Sequence, residues 1–335
     1  ALQIERRWHE SQTAGRSLSV PVGLSAGSEK LDLDLHERAD GPNGLVAGTV
    51  GAGKSELLQT LIASLAINYH PYRLAFVLVD YKGGGMAKPF KDLPHTLGVI
   101  TNLDQENLAL RALTSFNVEL KRRQTLFDAA HVNHIDDYQR KYYAGEPDTD
   151  TPLPYLVVIV DEFAEMKTEQ PETAKEFVRI ARVGRALGLR LILAMQRPAG
   201  IVDGQIEANT RFRLCLRVAQ TEDSQAMLKR PDAAFLSGMG RAYLQVGANE
   251  KFKEFQVAWG GAPYDPQRAG LGNPLEIMAV ELDGSRRSLY APAAPVEHKP
   301  QTQLAAVVEE IAATAGVLHI ERLPSLWLEP LPERL

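Results

Sequence analysis

The chain has 335 residues, 44% hydrophobic and 24% charged, a globular composition that excludes disorder over most of its length. A single cysteine, Cys215, excludes a disulfide framework and any cysteine-rich metal site. The formal net charge of −5 leaves no global basic footprint for nucleic acid or an acidic membrane, and no apolar run approaches the ~20 residues of a membrane span. These counts predict a soluble polypeptide of a reducing compartment, built as one large α/β domain with appendages or as two domains.

Residues 1–40 read as a short amino-terminal β segment: Trp8, then an apolar stretch from Leu18 to Leu24, then the alternation Leu31-Asp32-Leu33-Asp34-Leu35-His36 of a half-exposed strand. From Gly44 strands alternate with helices. Gly44–Ala47 is a short strand running into a glycine-rich turn. Glu56–Tyr69 carries Leu57, Leu58, Leu61, Ile62 and Leu65 on one helical stripe. Leu74–Asp80, Leu153–Val160 and Leu189–Met195 are continuous apolar runs, the pattern of parallel strands buried on both faces. Glu106–Ala130 and Thr173–Leu187 read as helices, and 213–218, 242–246 and 252–258 as later strands. The segment 144–154 is a polar, proline-rich loop. Beyond residue 264 a strand is expected at Ile277–Leu282, a linker at Pro292–Pro300 and a helix at Gln303–Ala315. The expected fold is a mostly parallel twisted sheet flanked by helices, divided as 1–40, a core at 41–262, and a linker-like carboxyl-terminal part at 263–335.

Three strand ends carry chemistry. Gly48-Thr49-Val50-Gly51-Ala52-Gly53-Lys54-Ser55 satisfies G-x-x-x-x-G-K-[ST] between an apolar strand and an amphipathic helix. Such a loop turns backbone N–H groups inward on phosphate oxygens, at the positive end of the following helix. Lys54 would reach the β- and γ-phosphates, and the Ser55 hydroxyl would sit on Mg²⁺; Glu56 follows directly. About 100 residues on, a buried strand delivers Asp161 and Glu162 at its carboxyl end. Asp161 would hold Mg²⁺ through water, and Glu162 would polarise the attacking water, which favours ATP hydrolysis over binding alone. A third strand ends in Gln196, placed to sense the γ-phosphate or that water. A transition state with this much charge calls for an arginine, often from a neighbouring subunit. Arg111, on the long helix, and Arg213, on a strand with Arg211 and Arg217, are both candidates. The loop Asp80–Lys88 is glycine-rich and basic, able to touch a substrate or neighbour, and equally a mobile surface loop. The eight histidines show no ligand spacing, and Cys215 reads as inert filler.

These motifs resemble a known family. GLVAGTVGAGKSE (44–56), LVDYKGGG (78–85), LPHTLGVITNL (93–103), ELKRRQ (119–124), VDEF (160–163), AMQRP (194–198) and KRPDA (229–233) look like the FtsK/SpoIIIE-type ATPases. More narrowly they look like the first ATPase module of the EccC/EssC motors of bacterial type VII secretion, over roughly residues 15–260. The resemblance implies a RecA-like P-loop fold, ATP with Mg²⁺, and assembly into rings, typically hexamers. It also implies three such modules per chain behind amino-terminal membrane helices, at the cytoplasmic face of the cell membrane. On that basis the chain is an excised module, whose partners are further modules, ring neighbours and small secreted helical proteins. Met195 departs from the family, which more often has Ser or Thr before Gln. The tail Leu326-Trp327-Leu328-Glu329-Pro330-Leu331 resembles an inter-module linker; it is expected to dock on the motor or on the next module. Two other readings share the same motor residues: a DNA translocase or conjugative coupling ATPase, disfavoured by the −5 charge, and a regulatory module that binds ATP but turns over little alone.

Overall fold

The three apolar runs form the middle of a ten-stranded sheet. In the computed structural model, residues 2–13, 15, 17–81, 85–101, 106–248, 250–264, 277–281, 286–290 and 301–326 are described. The strands are β1 (Ser19–Leu24), β2 (Lys30–Asp34), β3 (Gly44–Ala47), β4 (Leu74–Asp80), β5 (Thr96–Thr101), β6 (Tyr155–Asp161), β7 (Leu189–Met195), β8 (Phe212–Leu216), β9 (Arg241–Val246) and β10 (Lys251–Val257). Their order across the sheet is β2-β1-β10-β9-β8-β3-β7-β6-β4-β5. From β8 to β5 every neighbouring pair is parallel; β9, β10, β1 and β2 extend the sheet antiparallel.

Every residue of β3, β4, β6 and β7 is buried, as an apolar run with no alternation requires. Helices provide the cover. On one side α1 (Ile4–Thr13), α2 (Lys54–Asn68) and α9 (Gln303–Val317) pack together, and Trp8 donates from its indole to Ala66 O across 2.9 Å. A second group holds α3 (Glu106–Ala129), α5 (Phe163–Glu169), α6 (Pro171–Val183) and α7 (Gly204–Asn209), with Phe116 edge-on to Phe177. In β10, by contrast, Lys253 and Glu254 are exposed while Phe255 and Val257 are buried, so this strand is covered only over its second half.

The elements expected from residue patterns form, and others join them. Strand β5, helix α1, α4 (Ile135–Ala144), α5, α7 and α8 (Thr221–Leu228) carry weak local patterns. These five helices run only six to ten residues, lengths at which tertiary packing and not periodicity holds a helix. The His134 side chain caps α4, accepting from Asp136 N, and Asp203 caps α7, accepting from Gln205 N and Ile206 N. The arginine-bearing strand β8 is an inner strand of the sheet, paired on both sides, by β3 and β9. In the loop after β4, Met86, Ala87 and Phe90 are buried, so its second half is tucked in; Lys82 to Gly84 lie outside the described residues. The linker at 292–300 and Trp327, Leu328 and Leu331 of the tail also lie outside them. Residues 321–326 lie along the sheet edge at β5: Arg322 donates to Leu93 O, and Ser325 Oγ and Leu326 N both donate to Leu97 O (2.8 and 3.0 Å).

Candidate functional site

The loop between β3 and α2 sits at the carboxyl end of the parallel strands and is braced on both sides. Gly48 N donates to Met195 O of β7, and Thr49 N donates to Arg217 O just beyond β8. Gly53 has φ +102°, and a Cβ there would stand 3.2 Å from the backbone of Gly240, so only glycine fits. Gly240 N in turn donates to Ala52 O across 2.9 Å. Lys54 opens α2 with its side chain buried, while Ser55 and Val50 face solvent.

Four side chains from three strand ends meet here. Lys54 Nζ is held by the Asp161 carboxylate and by Glu162 Oε1, the latter at 3.0 Å. Gln196 Nε2 donates to the same Glu162 oxygen at 2.7 Å. Glu162 N donates to Asp161 Oδ1 at 2.9 Å, and the Glu162 backbone is left-handed, φ 56° and ψ 38°. That sharp turn lets two consecutive residues aim carboxylates at one lysine, at a strain of order 1 kcal/mol. Strand β7 lies between β3 and β6, which is why Gln196 lands on Glu162 rather than on the far side of the site. The residues present fit a magnesium-bound nucleotide: a glycine-rich loop that opens a helix, one buried cation for phosphate, and a hydroxyl and a carboxylate for a cation that binds mostly phosphate and water oxygens.

The other expected residues lie elsewhere or act differently. The Glu56 carboxylate accepts from Gly260 N and Gly261 N (3.1 and 3.4 Å), tying α2 to the chain leaving β10. Arg213 donates from Nη1 to Met227 O at the end of α8, a structural role within its own chain. Burial lowers its pKa from the usual arginine value. Arg111 stands on α3 and lines a cavity of about 850 Å³ between that helix, Leu97, Pro152 and the tail residues Leu323 and Leu326. Cys215 is fully buried, and burial pushes its thiol pKa up, consistent with an inert residue. Two contributors escaped the sequence reading. Asp80, buried at the end of β4, stands in register with Asp161; its signal was an apolar run ending in a carboxylate. Gly240 braces the loop from β9, a long-range contact with no local signature.

A triphosphate cradle facing an Asp-Glu pair and a glutamine across an intervening strand can be compared with known proteins. The FtsK/SpoIIIE family model matches residues 3–200. The chain belongs to the FtsK/SpoIIIE family. It is 49% identical over its whole length to the ESX secretion system protein EccC of Geobacillus thermodenitrificans, and 48% identical over 99% of its length to YukB of Bacillus subtilis. It spans 22% of each of those proteins. Among solved structures, the cytoplasmic domain of the type VII secretion ATPase EccC from Thermomonospora curvata superimposes with TM-score 0.77 at 30% identity, over 95% of this chain and 33% of that one. The conjugation coupling protein TcpA of pCW3, solved with ATPγS, matches with TM-score 0.56 at 27% identity, over 75% of this chain and 69% of that one. The P-loop ATPase fold expected from the motifs is therefore the fold observed.

Proposed function

We propose that the chain is an ATP-binding and ATP-hydrolysing motor module of a type VII protein secretion ATPase. The observation that carries the chemistry is the convergence of Lys54, Asp161, Glu162 and Gln196 beside the phosphate cradle. In this reading Lys54 and the loop amides not spent on bracing, those of Gly51, Gly53, Lys54 and Ser55, hold the phosphates, and Ser55 and Asp161 hold Mg²⁺. Bound Mg²⁺ neutralises charge on the phosphate oxygens. Glu162 polarises the attacking water as general base, and Gln196, sharing its oxygen, orients both. Nearly half-identity along the entire chain to EccC and YukB supports the secretion assignment over a DNA pump.

The module would work in a ring with copies of itself and alongside further modules, moving small helical proteins from the cytoplasmic face of the membrane. Residues 41–262 would form the motor, 1–40 an added β segment and 263–335 the connection to the next module. An arginine from a neighbour would complete the site. Arg213 would have to release Met227 O to serve, and Arg111 would act from α3. The test is phosphate release per chain as protein concentration rises, with duplex DNA or a small helical substrate added. We expect the specific rate to climb with concentration and to respond to the helical protein. Several-fold stimulation by duplex DNA would overturn the secretion reading in favour of a translocase.

A further inference from the structure

Lys54, Glu162 and Gln196 define the terminal-phosphate end of the site, and all three lie on the side of the loop strand β3 that carries β7 and then β6. A triphosphate laid along the loop with its last group there carries its base to the other side of β3, toward β8, β9 and β10. That side is built with care. Gly240 N donates to Ala52 O, which brings Met239 beside the loop, and Gln256 Nε2 donates to Met239 O at 3.0 Å. The chain leaving β10 runs along the first two turns of α2: Thr60 Oγ1 donates to Ala258 O, and the Glu56 carboxylate accepts from Gly260 N and Gly261 N. A Cβ on Gly261 would stand 2.8 Å from Trp259 Nε1 and 3.4 Å from Glu56 Oε1, so the indole edge lies on the Gly261 backbone, next to the start of α2.

Yet the side chains held this firmly are not covered. Trp259 is 64% exposed, Met239 70% and Val50, at the tip of the loop, 77%. A large aromatic ring fixed by backbone clamps at the edge of a phosphate site, with its faces free of core packing, has the chemistry of a stacking platform. We propose that Trp259 forms the surface on which the purine base of the nucleotide stacks. Glu56 then serves as a positioning residue, holding Gly260 and Gly261 so that the indole stays over the base site. The proposal rests on the ATP-binding reading and adds to it the element that recognises the nucleoside.

The experiment compares two ligands, MgATP and inorganic tripolyphosphate with magnesium, by calorimetry on wild type, Trp259→Ala and Trp259→Phe. Stacking on one base is worth about 1–3 kcal/mol, so Trp259→Ala should weaken ATP roughly 5- to 150-fold. Tripolyphosphate, which has no base, should bind all three proteins equally, and Trp259→Phe should keep most of the ATP affinity. Unchanged ATP affinity in Trp259→Ala overturns the proposal and leaves the indole as a contact for a neighbouring subunit. An equal loss for both ligands overturns it too, since the change would then act through the phosphate loop. Failure of wild type to bind either ligand would overturn the nucleotide reading itself, an outcome distinct from the other two.

Discussion

Replacing Glu162 with Gln should abolish turnover and leave nucleotide binding intact. The substitution keeps the side chain's length, so an oxygen remains to accept from Lys54 Nζ and Gln196 Nε2, at 3.0 and 2.7 Å in the native site. What it removes is one negative charge and the basic oxygen. A positioned general base contributes roughly 10²- to 10⁴-fold in rate, about 3–5 kcal/mol of barrier. The effect on binding is smaller and of opposite sign. Across Lys54, Asp161 and Glu162 the formal charge rises from −1 to 0. A phosphate charge ~8 Å away therefore meets one repulsion fewer, about 0.5 kcal/mol at the permittivity of water, or roughly twofold tighter binding. The fold is spared, because Gln tolerates the left-handed backbone at this position as well as Glu does. Single-turnover phosphate release reads the first effect and ATP titration the second, on the same preparation. Retention of more than about a tenth of the wild-type rate would refute the general-base assignment. A wild-type rate no higher than that of the variant would make the chain a nucleotide-binding module and not a hydrolase.

Further consequences concern the loop, the sensor and the packing beneath them. Gly53→Ala places a Cβ 3.2 Å from the Gly240 backbone at φ +102°, so it should cost about 1–3 kcal/mol in denaturant unfolding and weaken ATP binding; unchanged stability would show that the loop relaxes freely. Gln196→Leu should lower turnover at least tenfold with ATP affinity unchanged, because it strips the amide from Glu162 and leaves the Lys54 contacts in place. Trp8→Ala removes a fully buried ring and its bond to Ala66 O and should destabilise by about 3–5 kcal/mol, read as a drop in unfolding midpoint. Stability should also fall in mild acid. Burial lowers the His70 pKa to about 4 and the His95 pKa to about 3, both packed edge-on against Trp8. The unfolded chain takes up those protons near pH 6.5, so the stability is present above that value and lost as pH falls toward the folded values. The loss should be roughly 2 kcal/mol per histidine between pH 7 and 5, and a flat profile of unfolding midpoint across that range would contradict it.

Much of the catalytic constellation is local and therefore legible in residue order. The glycines and Lys54 follow a strand and open a helix, and Asp161, Glu162 and Gln196 each end an apolar run, so chemistry and position are written within a few residues of each other. Asp80 carried the same signature, yet only its register with Asp161 places it at the site. The roles that depend on pairing were not legible. Glu56 sits next to the phosphate loop in sequence, but its carboxylate turns to Gly260 and Gly261, more than 200 residues on. Arg213 alternates on its strand as a solvent-facing arginine would, and the structure spends it on Met227 O.

By itself, the sequence determined the parallel core and the chemistry at its strand ends, because burial on both faces demands unbroken apolar runs and a phosphate loop demands glycine at set spacings. Only the tertiary structure decided that β7 lies between β3 and β6, bringing Gln196 onto Glu162, and that β1, near the start of the chain, pairs with β10. Strand order is a choice among long-range pairings with similar local patterns, settled by how the whole sheet buries its faces. The same choice put an exposed tryptophan beside the start of α2.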